Sequence, residues 1–346
     1  MEPSEILGRS IERIVLGERL SEEESRAAFG EVMDGRATEA QIASFLTALR
    51  VRGETAAEVA GIARALRERV PPSGPAPEDL LDTCGTGGDR LGIFNVSTAV
   101  AFVAAGAGAR VAKHGNRSFT SKSGSADALR ALGVDVDLAP ERVPRVLEKA
   151  GIAFFFAPLF HTALRHAASV RRDLGFRTVM NLVGPLANPA GARRQLVGVY
   201  SPSLVPLVAE TLAQLGALRA LVVSGEEGLD EISIAGTTLV ADVESSRVAG
   251  VRRVAPEDLG LPRSSLETLR VGSPEESARR ILAVLGGEGG PSRDIVVANA
   301  AAAIVAAGLA PTLRDGARAA VSSIDSGAAR RSLDRLASAT AAGGAG

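Results

Sequence analysis

The segment Pro71-Pro72-Ser73-Gly74-Pro75-Ala76-Pro77 constrains this chain more than any other feature. Its prolines fix φ and remove backbone donors, so it can join neither a helix interior nor a central strand. Residues 4 to 70, before it, repeat one pattern: a cap, an amphipathic run of about four turns, then a glycine. Leu7, Ile11, Ile14 and Val15 share a helical face, and Gly17 can take the left-handed conformation that stops a helix. Ser21 with Glu24, Thr38 with Gln41 and Thr55 with Glu58 have the spacing of capping boxes. The spacing predicts four short helices. Their apolar positions do not recur in register, which argues against a solenoid and for a small bundle over residues 1–70.

Beyond the prolines, short apolar runs alternate with helical patterns: Leu80 to Thr83, Arg110 to Ala112, Ala153 to Phe156, Leu196 to Tyr200 and Ala220 to Val223. Strands alternating with helices predict an α/β domain with a mostly parallel central sheet, covered on both faces, over residues 78–336. Such sheets bind ligands beyond the carboxyl ends of their strands, so the loops after these runs carry the interest. Residues 337–346 contain only Ala, Gly, Ser and Thr and read as a frayed tail.

Composition removes several function classes. Lys and Arg number 39 against 40 Asp and Glu, a net charge of -1, which excludes dominant sequence-independent binding to nucleic acid. With no Trp and a single Tyr, base-stacking platforms are hard to build. One cysteine, Cys84, excludes an internal disulfide and a Cys-rich zinc site, and three histidines leave little for a transition metal. The acidic start, Met1 to Glu5, lacks the basic and apolar regions of a secretory signal, and the Ala-rich stretches Val96 to Ala112 and Ile295 to Leu309 read as buried helices rather than membrane spans. A cytoplasmic small-molecule protein is expected.

Four loops could carry chemistry. Gly85-Thr86-Gly87-Gly88-Asp89 follows the first strand, and its glycines allow backbone N–H groups to turn toward an anion. Asn95-Val96-Ser97-Thr98 opens an apolar helix whose free N–H groups and dipole suit a phosphate, although a simple N-cap is the commoner use of such residues. Lys113 through Ser125 holds three cations, one imidazole and five hydroxyls, a donor density suited to a ligand with several phosphate oxygens. Gly228-Leu229-Asp230-Glu231 places two carboxylates after the fifth run, where they can hold Mg²⁺, and Arg171-Arg172 offers a guanidinium to a carboxylate. Together these describe an enzyme that transfers a group from a magnesium-bound phosphate or diphosphate ester, with catalysis by fixed charges.

The order of these motifs resembles the anthranilate phosphoribosyltransferases over nearly the whole chain. The resemblance rests on Gly85 to Asp89, Asn95 to Thr98, Lys113-His114-Gly115-Asn116-Arg117, Ser123 to Asp127, Val170 to Arg172, Asn181 to Pro189 and Gly228 to Glu231. It implies transfer of a phosphoribosyl group from 5-phosphoribosyl 1-diphosphate to the amine of anthranilate, in L-tryptophan biosynthesis. It implies that Gly85, Gly88, Asp89, Asn95, Val96, Ser97, Thr98, Lys113, His114, Gly115, Asn116, Arg117, Ser118, Thr120, Ser121 and Ser125 bind the donor. Gly85, Asn116 and Arg171 would receive anthranilate, with His114 shaping the mouth of that pocket, and Ser97, Asp230 and Glu231 would position Mg²⁺. No residue is assigned as nucleophile or base. The implied fold is that of the nucleoside phosphorylases and related phosphoribosyltransferases, the helical domain being completed by a segment near residues 160–190, and the implied assembly is a homodimer. Ile93, Arg90, Thr120 and Ala187 depart from the family's usual residues. A pyrimidine nucleoside phosphorylase is the alternative enzyme, which Asp230-Glu231 argues against; a non-catalytic binding relative is the alternative outside catalysis.

Overall fold

The computed structural model describes residues 3–71, 77–88, 91–117 and 123–341. Four helices come first: α1 (Glu5–Val15), α2 (Glu22–Met33), α3 (Glu39–Arg52) and α4 (Ala56–Arg67). The capping boxes at Ser21, Thr38 and Thr55 all form, each side chain accepting from the backbone of its Glu or Gln partner. Such caps satisfy donors that a helix start leaves unpaired, at about 1 kcal/mol each. Phe29, Phe45, Leu46, Leu49 and Ile62 fill the space between these helices.

The rest of the chain is built from β1 (Leu80–Gly85), α5 (Val96–Gly106), β2 (Arg110–Gly115), α6 (Ser125–Ala131), α7 (Val143–Ala150), β3 (Ile152–Phe156), α8 (Ala157–Phe160), α9 (Arg165–Leu174), α10 (Met180–Leu186), β4 (Arg194–Gly198), α11 (Val205–Gln214), β5 (Arg219–Gly225), β6 (Thr238–Glu244), β7 (Arg247–Val254), α12 (Pro274–Leu285), α13 (Pro291–Ala306), α14 (Leu313–Asp325) and α15 (Ala328–Ala341). Seven strands form one sheet in the order β3-β2-β1-β4-β5-β6-β7. The five expected strands pair in parallel, and β6 and β7 add an antiparallel edge.

The sheet separates two hydrophobic cores. On one face, α5, α13, α14 and α15 cover Leu196, Leu221 and Val223. On the other, Val197, Val222 and Val243 join a core shared with α1–α4, with Ala167 and Val170 of α9, with Val183 and Leu186 of α10, and with α11. The bundle is thus continuous with one side of the sheet. The helices of both Ala-rich stretches, α5 and α13, are largely buried; among the described residues no helix is long and apolar enough to cross a membrane.

Two differences from expectation have local causes. The β6–β7 hairpin turns on Ser245 and Ser246, both at positive φ, so the Gly or Asn that usually marks such a turn is missing. The tail was expected to fray from Ala337, but α15 continues through Ala341, because Leu333, Leu336 and Thr340 bury one side of it. Residues 342–346 lie outside the described residues.

Candidate active site

Strands β1 and β2 end side by side, and alternation along them sorts the polar side chains onto opposite faces of the sheet. Strand β2 runs through Gly115, so Lys113 and His114 are strand residues and not part of the loop in which the sequence reading set them. Lys113 points to the α5 side. Its buried Nζ donates to the Thr83 carbonyl at 2.6 Å and to Ser97 Oγ at 3.2 Å, and burial lowers its pKa. The cation is thereby fixed between the end of β1 and the first turn of α5.

His114 points to the other face, toward the bundle. Its Nδ1 lies 3.1 Å from the Gly184 carbonyl, which requires the ring to donate there, and Nε2 has no partner among the described residues. Burial holds its pKa well below 6.5, so the ring is neutral. His161 stands edge-on to it, with ring centroids 5.2 Å apart, and burial lowers His161 to about 4. Beneath them the buried Asp82 accepts from the His114 backbone at 3.0 Å and from Asn188 Nδ2 at 2.7 Å. Burial raises the Asp82 carboxyl to about 6. Asp82, Cys84 and His114 bring ligand-capable atoms within 4.8 Å of one another, a grouping that counting cysteines and histidines does not foresee.

The glycine turn after β1 is held by the acidic loop. Gly87 donates its N–H to Asp230 Oδ2 at 2.7 Å. A Cβ at Gly198 would stand 1.7 Å from the Asp230 carbonyl, so the approach of the Asp230 backbone requires a glycine there, and one at Gly85 would stand 2.5 Å from Asp230 Oδ2 and displace that carboxylate. Asp230 and Glu231 both act electrostatically on the Cys84 thiol, and Glu231 on Lys113, which puts the two carboxylates beside the strand ends.

Asn95 makes no cap bond with its side chain. Its Oδ1 instead accepts from Ser123 Oγ at 2.6 Å and Ser277 Oγ at 2.7 Å, which ties the start of α5 to the second loop and to α12. Val96 and Thr98 are buried, leaving Ser97 as the half-exposed side chain of that turn. Ser125 Oγ donates to the Asn116 carbonyl at 3.1 Å, and a Cβ at Gly115 would lie 2.3 Å from it. Arg117 lies over the Phe156 ring, 5.4 Å from its centroid. Arg171 is half-buried on α9 and burial lowers its pKa, whereas Arg172 is exposed. Asp89, Arg90, Ser118, Thr120 and Ser121 lie outside the described residues. The sequence reading missed Asp82, His161, Ser277 and Arg177; each acquires meaning only from partners distant in the chain.

A helical bundle joined to an α/β sheet, with glycine, basic and acidic loops at the strand ends, defines a glycosyl-transferring enzyme. Two family models match accordingly: the glycosyl transferase family helical bundle domain over residues 9–70 and its a/b domain over residues 77–330. The anthranilate phosphoribosyltransferase of Rubrobacter xylanophilus is 52% identical over 332 residues, covering 96% of each chain. That of Symbiobacterium thermophilum is 50% identical over 326 residues, 94% of this chain and 95% of the relative. Among solved structures, the Thermus thermophilus enzyme superposes with a TM-score of 0.91 at 44% identity, over 96% of this chain and 99% of that one. The Saccharomyces cerevisiae enzyme in complex with PRPP and Mg gives a TM-score of 0.89 at 30% identity, over 98% and 99%. The chain belongs to the anthranilate phosphoribosyltransferase family.

Proposed function

We propose that this chain transfers the phosphoribosyl group of 5-phosphoribosyl 1-diphosphate to the amine of anthranilate, giving N-(5-phosphoribosyl)anthranilate and diphosphate in L-tryptophan biosynthesis. The observation that carries this reading is the glycine turn itself, which has the Asp230 carboxylate on Gly87 and lies at the end of the strand whose Thr83 carbonyl holds the Lys113 cation. An anion cradle bordered by a fixed cation and by carboxylates suits a metal-bound diphosphate.

In this reading Gly85, Gly88, Asp89, Asn95 through Thr98, Lys113, Gly115 through Ser118, Thr120, Ser121 and Ser125 hold the donor. Arg171 takes the anthranilate carboxylate, Asn116 and Gly85 line the same pocket, and the neutral His114, expected among the donor-binding residues, turns toward the bundle and shapes the mouth of that pocket instead. Asp230, Glu231 and Ser97 supply hard oxygen atoms that fit Mg²⁺. The metal, when bound, would offset charge on the departing diphosphate. The chain's own residues do the rest: fixed donors hold the phosphates, and displacement at the anomeric carbon needs no strong base, because an aniline nitrogen is already neutral and nucleophilic. His114 therefore serves as a positioning group; its depressed pKa and its Nδ1 contact with Gly184 support that role. A homodimer through the helical bundle is supported by Val15, Leu16 and Val51, which are 72%, 71% and 81% exposed near the adjoining ends of α1 and α3. A cytoplasmic location fits a biosynthetic enzyme of this kind.

Loss of anthranilate fluorescence on adding 5-phosphoribosyl 1-diphosphate tests the reaction, with little background from a Trp-free chain. Magnesium-dependent loss with release of diphosphate is expected. Phosphate-dependent cleavage of a pyrimidine nucleoside without that loss would replace this reading with a phosphorylase.

A further inference from the structure

Arg177, between α9 and α10, has no part in the roles above, yet it touches the glycine turn. Its guanidinium donates to the Gly88 carbonyl and lies over the ring of Tyr200, with Cζ 3.9 Å from the ring centroid. Tyr200 follows β4 and donates its N–H to Thr86 Oγ1 at 3.2 Å; Thr86 in turn donates its own N–H to the Gly198 carbonyl at 2.8 Å. Thr86, Tyr200, Arg177 and Gly88 thus form a closed circuit around one edge of the turn, while Asp230 holds Gly87 between them. Burial raises the Tyr200 phenol above its ordinary pKa and Arg177 opposes that rise, with Arg50 of α3 and Glu54 after it also acting on the ring. The circuit therefore sits at the seam between bundle and sheet.

Gly87 and Gly88 have φ of 64° and 81°. Glycines in that region lose much freedom on ordering, so a turn ordered before the ligand arrives binds it at lower entropic cost. A guanidinium is suited to the task because its planar face can stack while its edge donates, a combination an ammonium cannot supply.

We infer that Arg177, stacked on Tyr200, is a positioning residue that fixes the glycine turn for the phosphoribosyl donor and links it to the segment carrying Arg171. The inference rests on the proposed function. It separates Arg177 from the donor-binding residues, because Arg177 acts through the Gly88 peptide.

The chain supplies its own reporter. With no Trp and one Tyr, tyrosine emission comes from Tyr200 alone. Magnesium diphosphate and 5-phosphoribosyl 1-diphosphate, both transparent to the measurement, are titrated while that emission is followed, and steady-state constants are measured alongside. Wild type is expected to show a saturable change in emission. Arg177→Ala is expected to raise the donor KM and the diphosphate midpoint about tenfold, the scale of a lost charge-assisted bond, with kcat within about threefold and an unchanged Tm. Arg177→Lys recovers only part of this. Tyr200→Leu repeats the rise in donor KM, whereas Tyr200→Phe, which keeps the ring face, does not; this pair decides the matter if Arg177→Ala does not fold. An unchanged donor KM in folded Arg177→Ala or in Tyr200→Leu overturns the inference. If wild type itself consumes no anthranilate, the proposed function fails, and the emission titration then stands alone: no response of Tyr200 to magnesium diphosphate overturns the inference as well.

Discussion

Lys113 and His114 are neighbours on one strand, both buried, and they belong to different chemistries. On the α5 side, the Thr83 carbonyl and the Ser97 hydroxyl accept from the Lys113 amino group, next to the turn that approaches the acidic loop. On the bundle side, His114 is neutral and stands with Asp82, Asn188 and His161 in a polar network inside an apolar core. One face holds an ammonium beside the glycine turn, which the proposed function gives to the phosphates; the other holds a neutral imidazole whose Nε2 has no partner among the described residues, which that reading gives to the anthranilate pocket. Strand alternation produces the division, so a single donor-rich stretch of sequence contributes to both faces of the sheet.

The largest expected effect comes from removing the charge on the α5 face. Lys113→Ala should lower kcat/KM for the phosphoribosyl donor by about 10²- to 10³-fold, the range seen when one preorganised electrostatic donor is lost; steady-state kinetics with the donor varied checks this. For His161 and Asp82 on the bundle face the expected effects are on stability, and their signs oppose. His161 is lowered to about 4 when folded against an ordinary value near 6.5, so its stability contribution is lost as pH falls through that interval, by about 3 kcal/mol. His161→Phe should flatten the acid side of a Tm profile. Asp82 is raised to about 6 from about 3.9, so its contribution is full below pH 4 and is lost as pH rises through 6, again by about 3 kcal/mol. Asp82→Asn should remove that decline, while leaving a donor facing either Asn188 or the His114 N–H at a uniform cost of about 1–3 kcal/mol. Smallest is Arg171→Ala, expected to raise the anthranilate KM about tenfold with the donor KM little changed, as measured by varying each substrate in turn.

Local patterns were the legible part of this fold. The three capping boxes, the five parallel strands and the glycine turn each declare themselves within a few residues. Lys113 and His114 were assigned to a loop because polar residues at the end of a short apolar run look like its continuation. Strand β7 was missed because seven of its eight residues are exposed and carry no apolar alternation. At the site, the glycine, basic and acidic loops were readable from donor chemistry, but their anchors were not. Asn188 reaches Asp82 across 106 residues, and Ser277 reaches Asn95 across 182. Arg177 looked like any surface arginine until the chain brought Gly88 and Tyr200 to it.

The division of labour between the two faces is tested most directly by measuring both substrates' KM values in Lys113→Ala and in His114→Gln. A crossing is expected: Lys113→Ala impairs use of the phosphoribosyl donor with the anthranilate KM near wild type, and His114→Gln raises the anthranilate KM with the donor KM near wild type. Both variants impairing the same substrate, to a similar degree, would contradict it.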